Sequence, residues 1–109
     1  MLTFESGPQG DADTAVIEML RDDPAMAVDY LRTAFEELDE EGGESAFLMA
    51  LRHVVEAQGG IAAVAERAKV SRESLYRALS PKGNPTLRTM TAVIKATGIR
   101  FHDLTHPAS

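Results

Sequence analysis

Apolar residues recur along most of the chain at three- and four-residue spacing, the period of an amphipathic helix. Val16, Met19 and Leu20 mark one face of a short first helix that Asp11 or Asp13 can cap and that ends near Asp22. Asp23-Pro24 restarts the chain: Asp23 suits an N-cap, and Pro24 suits the first helical position, where no N–H is needed. From there to about Leu38, the inner stripe is Val28, Leu31, Phe35 and Leu38, joined by Ala27 and Ala34. The run DEEGG at 39–43 is a solvated break. Residues 44–58 predict the most apolar helix, with Phe47, Leu48, Leu51, Val54 and Val55 in a stripe wide enough to place it at the centre. Gly59-Gly60 ends it.

Two short helical segments follow, at 61–68 and 71–79, with only Lys69 and Val70 between them. The run SPKGNP at 80–85 is a restricted turn, since two prolines and a glycine limit its backbone. Thr86 caps a last helix expected to point Leu87, Met90, Val93, Ile94 and Thr97 inward, and Gly98 stops it. Ile99 and Phe101 alternate with Arg100 and His102, a weak strand signal. The fold class expected is all-α. Its parts are a mobile arm at 1–10, acidic helices at 11–43, a helix-turn-helix domain at 44–104 and a tail at 105–109.

Charge sharpens that division. Residues 1–44 hold thirteen acids against Arg21 and Arg32, whereas residues 45–109 hold nine bases against four acids, within a net charge of -6. The basic half can hold phosphate locally, while the acidic half must avoid nucleic acid or face a basic partner. The chain of 109 residues has no cysteine, which excludes disulfides, thiolate catalysis and thiolate metal sites. No apolar run approaches the ~20 residues of a membrane helix, and no basic leader precedes an apolar core, so the expectation is a cytoplasmic protein.

The segments at 61–68 and 71–79 fit a helix-turn-helix residue by residue. Val64, Ala65 and Ala68 give the first a small apolar face that a second helix can cross closely, and Val70 plugs the turn. Ser71 is a good N-cap, and Leu75, Ala78 and Leu79 return to the core. Arg72, Glu73, Tyr76 and Arg77 are left outward. Arginine can donate twice to guanine's major-groove edge, glutamate can accept from cytosine, and tyrosine can pack on sugar or a thymine methyl. Lys69, Lys82 and Arg88 flank this helix as phosphate contacts, with the helix starts at Ser71 and Thr86 adding N–H donors. A symmetric operator duplex would require a homodimer, through Met19, Leu20 or Tyr30, or through the 99–101 segment.

The stretch GGIAAVAERAKVSRESLYRALSPKGNPTLRTMTAVIKATG at 59–98 resembles the probable addiction-module antidote proteins, with SRESLYRALSPKGNP as its most specific part. DYLRTAFEE at 29–37 and FLMALRHVVEAQGG at 47–60 extend the resemblance over roughly 27–98. It implies a small HigA-type antitoxin with a lambda-repressor-like (XRE) DNA-binding domain and an N-terminal helical extension. It also implies a dimer that represses its own operon and neutralises a basic toxin of the RelE/HigB type. On this chain Ser71, Arg72, Glu73, Tyr76 and Arg77 take the recognition-helix positions. Asp29, Glu36, Glu37, Asp39 and Glu40 either form an acidic face that steers the encounter with such a toxin or only solubilise a helix whose apolar face completes the core. Two positions depart from the usual pattern. Lys69 stands where glycine is customary, and in a left-handed conformation it would cost about 1 kcal/mol. Ile61 and Ala62 stand where a polar phosphate contact is customary.

Nothing in the sequence suggests an enzyme, a cofactor or a metal. His102 and His106 are four apart, but Gly98 precedes and Pro107 follows, which argues against a helical pair of ligands. His53 reads as a packing residue. The acids at 39–41 with Glu44 lack any EF-hand pattern. Two rival readings stay open: a stand-alone XRE-type regulator without a toxin, and a protein-interaction module that has lost DNA binding.

Overall fold

The computed structural model describes residues 7–80 and 82–106, of which residues 7–12 by backbone alone. The described residues form seven helices and no strand: α1 (Gly7–Asp22), α2 (Pro24–Glu36), α3 (Gly43–Ala57), α4 (Ile61–Ala68), α5 (Arg72–Ala78), α6 (Leu87–Ala96) and α7 (Phe101–Thr105). The helix boundaries follow the local signals. Asp23 occupies the N-cap of α2 with Pro24 inside it, although the Asp23 side chain makes no capping bond. Ser71 Oγ accepts the Ser74 N–H at 3.0 Å, and Thr86 Oγ1 accepts the Thr89 N–H at 3.1 Å, so α5 and α6 each begin on a satisfied cap. The solvated break between α2 and α3 closes tightly. A Cβ on Gly43 would run into the Glu37 carbonyl, so only glycine fits there.

Helix α3 lies at the centre, packed against α1, α2 and α4. Phe47, Leu48, Leu51, Val54 and Val55 are all buried. Around it stand two groups: α1, α2 and α7 on one side, and α4 with α5 and α6 on the other. Leu20, Ala27, Leu31, Val64, Leu75, Val93, Ile94 and Leu104 complete one continuous core across both groups. Burying such side chains contributes about 1.5–3 kcal/mol each.

Three polar arrangements, two of them part-buried and the third exposed, tie neighbouring helices together. The Tyr30 hydroxyl donates to His53 Nδ1 at 2.7 Å, and His53 Nε2 donates to the Asp13 carboxylate at 3.2 Å. Facing a carboxylate, Nε2 is the donor of the neutral ring, which leaves Nδ1 to accept from Tyr30. Burial, with the Asp13 charge second, pushes the Tyr30 hydroxyl pKa upward, in keeping with its role as donor. Arg32 of α2 donates to the Asp103 carbonyl of α7 at 3.0 Å and pairs with Asp29 at 2.7 Å. Arg67 of α4 donates to the Gln58 carbonyl at 2.6 Å and the Ala96 carbonyl at 3.1 Å, joining the ends of α3 and α6.

The structure departs from the expectations at four places. Helix α1 starts at Gly7, so residues 7–10 of the expected arm are helical; residues 1–6 and 107–109 lie outside the described residues. Met19 is 51% exposed while Leu20 is buried, so the inner face of α1 runs through Val16, Ile17 and Leu20. The weak strand at 99–102 is instead the start of α7. Asp103 accepts from the Arg100 backbone N–H at 3.2 Å and from its guanidinium at 3.3 Å, which turns the chain into a helix that lays Leu104 against α2. These bonds hold the Asp103 carboxyl below the usual carboxylate range, the backbone bond contributing most. Finally, Leu87 does not point inward. It is the first residue of α6, before the helix has turned onto the core, and it is 75% exposed.

Candidate nucleic-acid interface

Helices α4 and α5 are joined by three residues, Lys69 to Ser71. Val64, Ala65 and Leu75 are buried between them, and Val70 is half-buried in the turn. The turn requires a left-handed residue, and Lys69 supplies it with φ 63° and ψ 41°. It is the one described residue other than glycine with positive φ. The Val70 N–H then reaches back to the Ala65 carbonyl at 3.0 Å, closing the end of α4. Beyond α5 the chain is held close again: Ser80 Oγ donates to the Arg77 carbonyl at 2.8 Å and the Gly83 N–H to the Ser80 carbonyl at 2.8 Å. A Cβ on Gly83 would strike the Ala78 carbonyl, so glycine lets this loop lie directly on α5. Pro81 lies outside the described residues.

The outward side of α5 carries Arg72, Glu73, Tyr76 and Arg77, all exposed. They divide between two grooves. Arg72, Glu73 and Tyr76 line a cleft of about 380 Å³ against Ile61 and Ala62 at the start of α4. Arg77 shares a wider groove of about 540 Å³ with Ser74, Lys82, Thr86 and Thr89. The structure therefore brings Arg77, Lys82 and the start of α6 together, as a phosphate-holding groove would need. Lys69, Ser71 and Arg88 are exposed but line neither groove. Among the described residues, no ion pair engages the side chains of Lys69, Arg72, Arg77, Lys82 or Arg88. Unpaired cations on a convex helix and its flanks are suited to polyanion contact, since no internal partner has to be displaced.

One member of this surface is not visible in the sequence pattern. The Arg52 guanidinium of α3 sits over the Tyr76 ring, 5.0 Å from its centroid. One ring face of Tyr76 is therefore already covered, which fixes the ring against the central helix. Arg52 also lines a cleft of about 400 Å³ with Asp13, Ile17, His53 and Glu56 that reaches Leu79 behind α5. Only the tertiary structure reveals this link, because the residues stand 24 apart in the chain and on different helices.

The acidic face is differently placed. Glu36, Glu37, Asp39 and Glu40 are exposed at the end of α2 and in the turn after it. Asp29 is engaged with Arg32, so its charge is partly answered within the chain. His102 lies in α7 and stacks on His106 with ring centroids 4.0 Å apart. Among the described residues no group of three or more histidines and acids is placed to hold a metal. Among the described residues no helix is long and apolar enough to cross a membrane.

A protein of Haemophilus influenzae described only as uncharacterized is 38% identical over 65 residues, covering 60% of this chain and 66% of its own length. The chain thus spans just under two thirds of that relative. No solved structure is significantly similar to the chain. Residues 12–105, from within α1 to the end of α7, match the family described as probable addiction module antidote protein. That match takes in the acidic helices as well as α4 to α6, and the chain belongs to this family.

Proposed function

We propose that this chain is a DNA-binding antitoxin of the HigA type: a lambda-repressor-like helix-turn-helix protein that represses its own operon and neutralises a basic toxin. The observation that carries the DNA reading is the exposed, outward set Arg72, Glu73, Tyr76 and Arg77 on a helix whose opposite side is buried core. In this reading α5 enters the major groove of each half-site of a symmetric operator, with the half-sites about 34 Å or a multiple apart. Arg72 and Arg77 read guanine edges, and Glu73 accepts from cytosine. Lys82 and Thr86, in the groove with Arg77, hold phosphate, as do Lys69, Ser71 and Arg88 from outside it. Arg52 acts through Tyr76 by holding its ring in place. Membership of the antidote family supports the toxin partner, and the exposed acids Glu36, Glu37, Asp39 and Glu40 offer a basic protein a complementary surface.

Two experiments test the halves of this reading. A reporter driven by the DNA upstream of this chain's gene should be repressed by the wild-type protein and released by the Arg72→Ala/Arg77→Ala variant. Equal expression with and without the protein would overturn autorepression. Co-expression with the product of the adjacent gene should relieve growth arrest and yield a complex on purification. An adjacent product that neither arrests growth nor binds would leave the stand-alone regulator as the better account.

A further inference from the structure

The misplaced leucine points to a second surface. Leu87 is 75% exposed, far more than the other exposed large apolar side chains, and it does not stand alone. It borders an almost wholly apolar cleft of about 290 Å³ with Met90 and Phe101 on one wall and Phe35, Leu38 and Phe47 on the other. Phe35 packs edge-on against both Phe47 and Phe101, so the cleft floor is an ordered aromatic cluster. The two walls carry opposite charge. Glu36, Glu37 and Asp39 flank Phe35 and Leu38 and are exposed. Arg88 follows Leu87 and Arg100 precedes Phe101, both exposed; the pair with Asp103 leaves the Arg100 side chain 73% accessible.

We infer that this cleft is the self-association surface of the protein, occupied by a second copy of this chain across a two-fold axis. In an isologous interface each wall meets the opposite wall of the partner. The acidic rim of one copy then faces the basic rim of the other, and Leu87 of each inserts toward the partner's aromatic cluster. A uniformly basic partner would be drawn to one rim and repelled by the other, whereas a second copy satisfies both; in the dimer a basic toxin would then meet the exposed acids outside the seam, Glu40 and Glu41. The other seams open at the level of sequence are weaker: Leu20 is buried, and Tyr30 is half-buried and bonded to His53. Met19 remains accessible. The inference rests on the reading above for the need for a dimer, but the surface itself is tested without DNA. The cleft shares Pro85 with the groove of Arg77 and Lys82, so a dimer formed here sets its two DNA-reading surfaces side by side.

Sedimentation equilibrium of the full chain, without DNA and at two salt concentrations, tests it. The wild type should dimerise, more weakly at high salt. Leu87→Asp should raise the dimer dissociation constant about thirtyfold or more, as expected for a central apolar anchor. Met19→Asp should leave it unchanged, and circular dichroism should show both variants folded. A wild type that stays monomeric up to ~1 mM, or a dimer that Met19→Asp disrupts and Leu87→Asp does not, would overturn the inference. So would monomers in which Leu87→Asp abolishes capture of the adjacent gene product, since the cleft would then belong to that partner. Dimerisation as predicted with no DNA binding would instead remove the DNA reading and leave this surface standing.

Discussion

The segment of α1, α2 and the turns that flank them, residues 1–44, holds thirteen of the chain's seventeen acids, the segment of α4 to α6 most of its unpaired base, and the two regions use polar groups in opposite ways. In the acidic region the informative contacts face inward: Asp13 through His53 to Tyr30, and Asp29 through Arg32 to the α7 backbone. Among the described residues the other acids of this region are solvated, at Glu18, Asp22 and Asp23 and around the end of α2. In the basic region the interior is apolar and the charges stand outward and unpaired, except for Arg67, which ties helix ends. Stability-determining polar groups thus lie mainly in the region whose surface is acidic, and ligand-ready ones in the region whose core is apolar but for Thr97 at the end of α6. Substitutions should separate the two sharply.

The largest effect should come from the seam between the regions. Leu104 is 1% exposed and anchors α7 on α2. Leu104→Ala should cost about 2–5 kcal/mol in urea denaturation. A loss under about 1 kcal/mol would mean that α7 is peripheral and that the core is not shared as described.

Next in size, Arg72→Ala or Arg77→Ala should each weaken operator binding by about 1–3 kcal/mol and relax preference at one base position. Their melting should stay near wild type, because both are exposed. Uniform weakening on every duplex would reduce these arginines to phosphate contacts.

Lys69 sharpens the comparison because stability and binding should move in opposite directions there. Lys69→Gly relieves a left-handed lysine and should stabilise the fold by about 1 kcal/mol. If Lys69 holds a phosphate, the same variant should lower the slope of log affinity against log salt by about 1. Gained stability with an unchanged slope would assign the residue to turn geometry alone.

The smallest effect is one of pH. Asp103 has its carboxyl pKa lowered in the fold, so its stabilising contribution is present above the unfolded value of about 3.9 and is lost as pH falls through the lower folded value. Asp103→Asn should therefore flatten the acid limb of the stability curve below about pH 4 and leave the limb above it parallel to wild type. Tyr30 behaves with the opposite sign: its raised value favours the neutral form, so stability should fall as pH climbs past about 10. An acid limb unaffected by Asp103→Asn would show that the Arg100–Asp103 bonds do not persist in solution.

The sequence was most legible where structure is set locally. The caps at Ser71 and Thr86, the restart at Asp23-Pro24 and the stripes of α3 and α6 depend on residues three or four apart, and the helices begin and end close to where those signals stand. The outward side of α5 followed from the same periodicity. The left-handed turn residue was open to suspicion only through the helix-turn-helix pattern, because Lys69 stands where glycine is customary. What could not be read depends on tertiary partners. The alternation at 99–102 mimics a strand, and α2 supplies the surface that makes it a helix; the one local signal is Asp103 three residues after Arg100. Leu87 looked buried because its spacing matches the core stripe, but the first residue of a helix lies ahead of the turn that packs. The Arg52–Tyr76 stack and the Asp13–His53–Tyr30 chain join residues from different helices, and no periodicity reports them.

The central claim is that the unpaired basic surface of α4 to α6 reads DNA despite a net charge of -6. Titrating the purified protein against its own upstream DNA, at two salt concentrations and beside an unrelated duplex, tests it most directly. Tight, salt-sensitive binding that prefers the upstream duplex is the predicted result. No binding at low salt, or equal affinity for both duplexes, would contradict it.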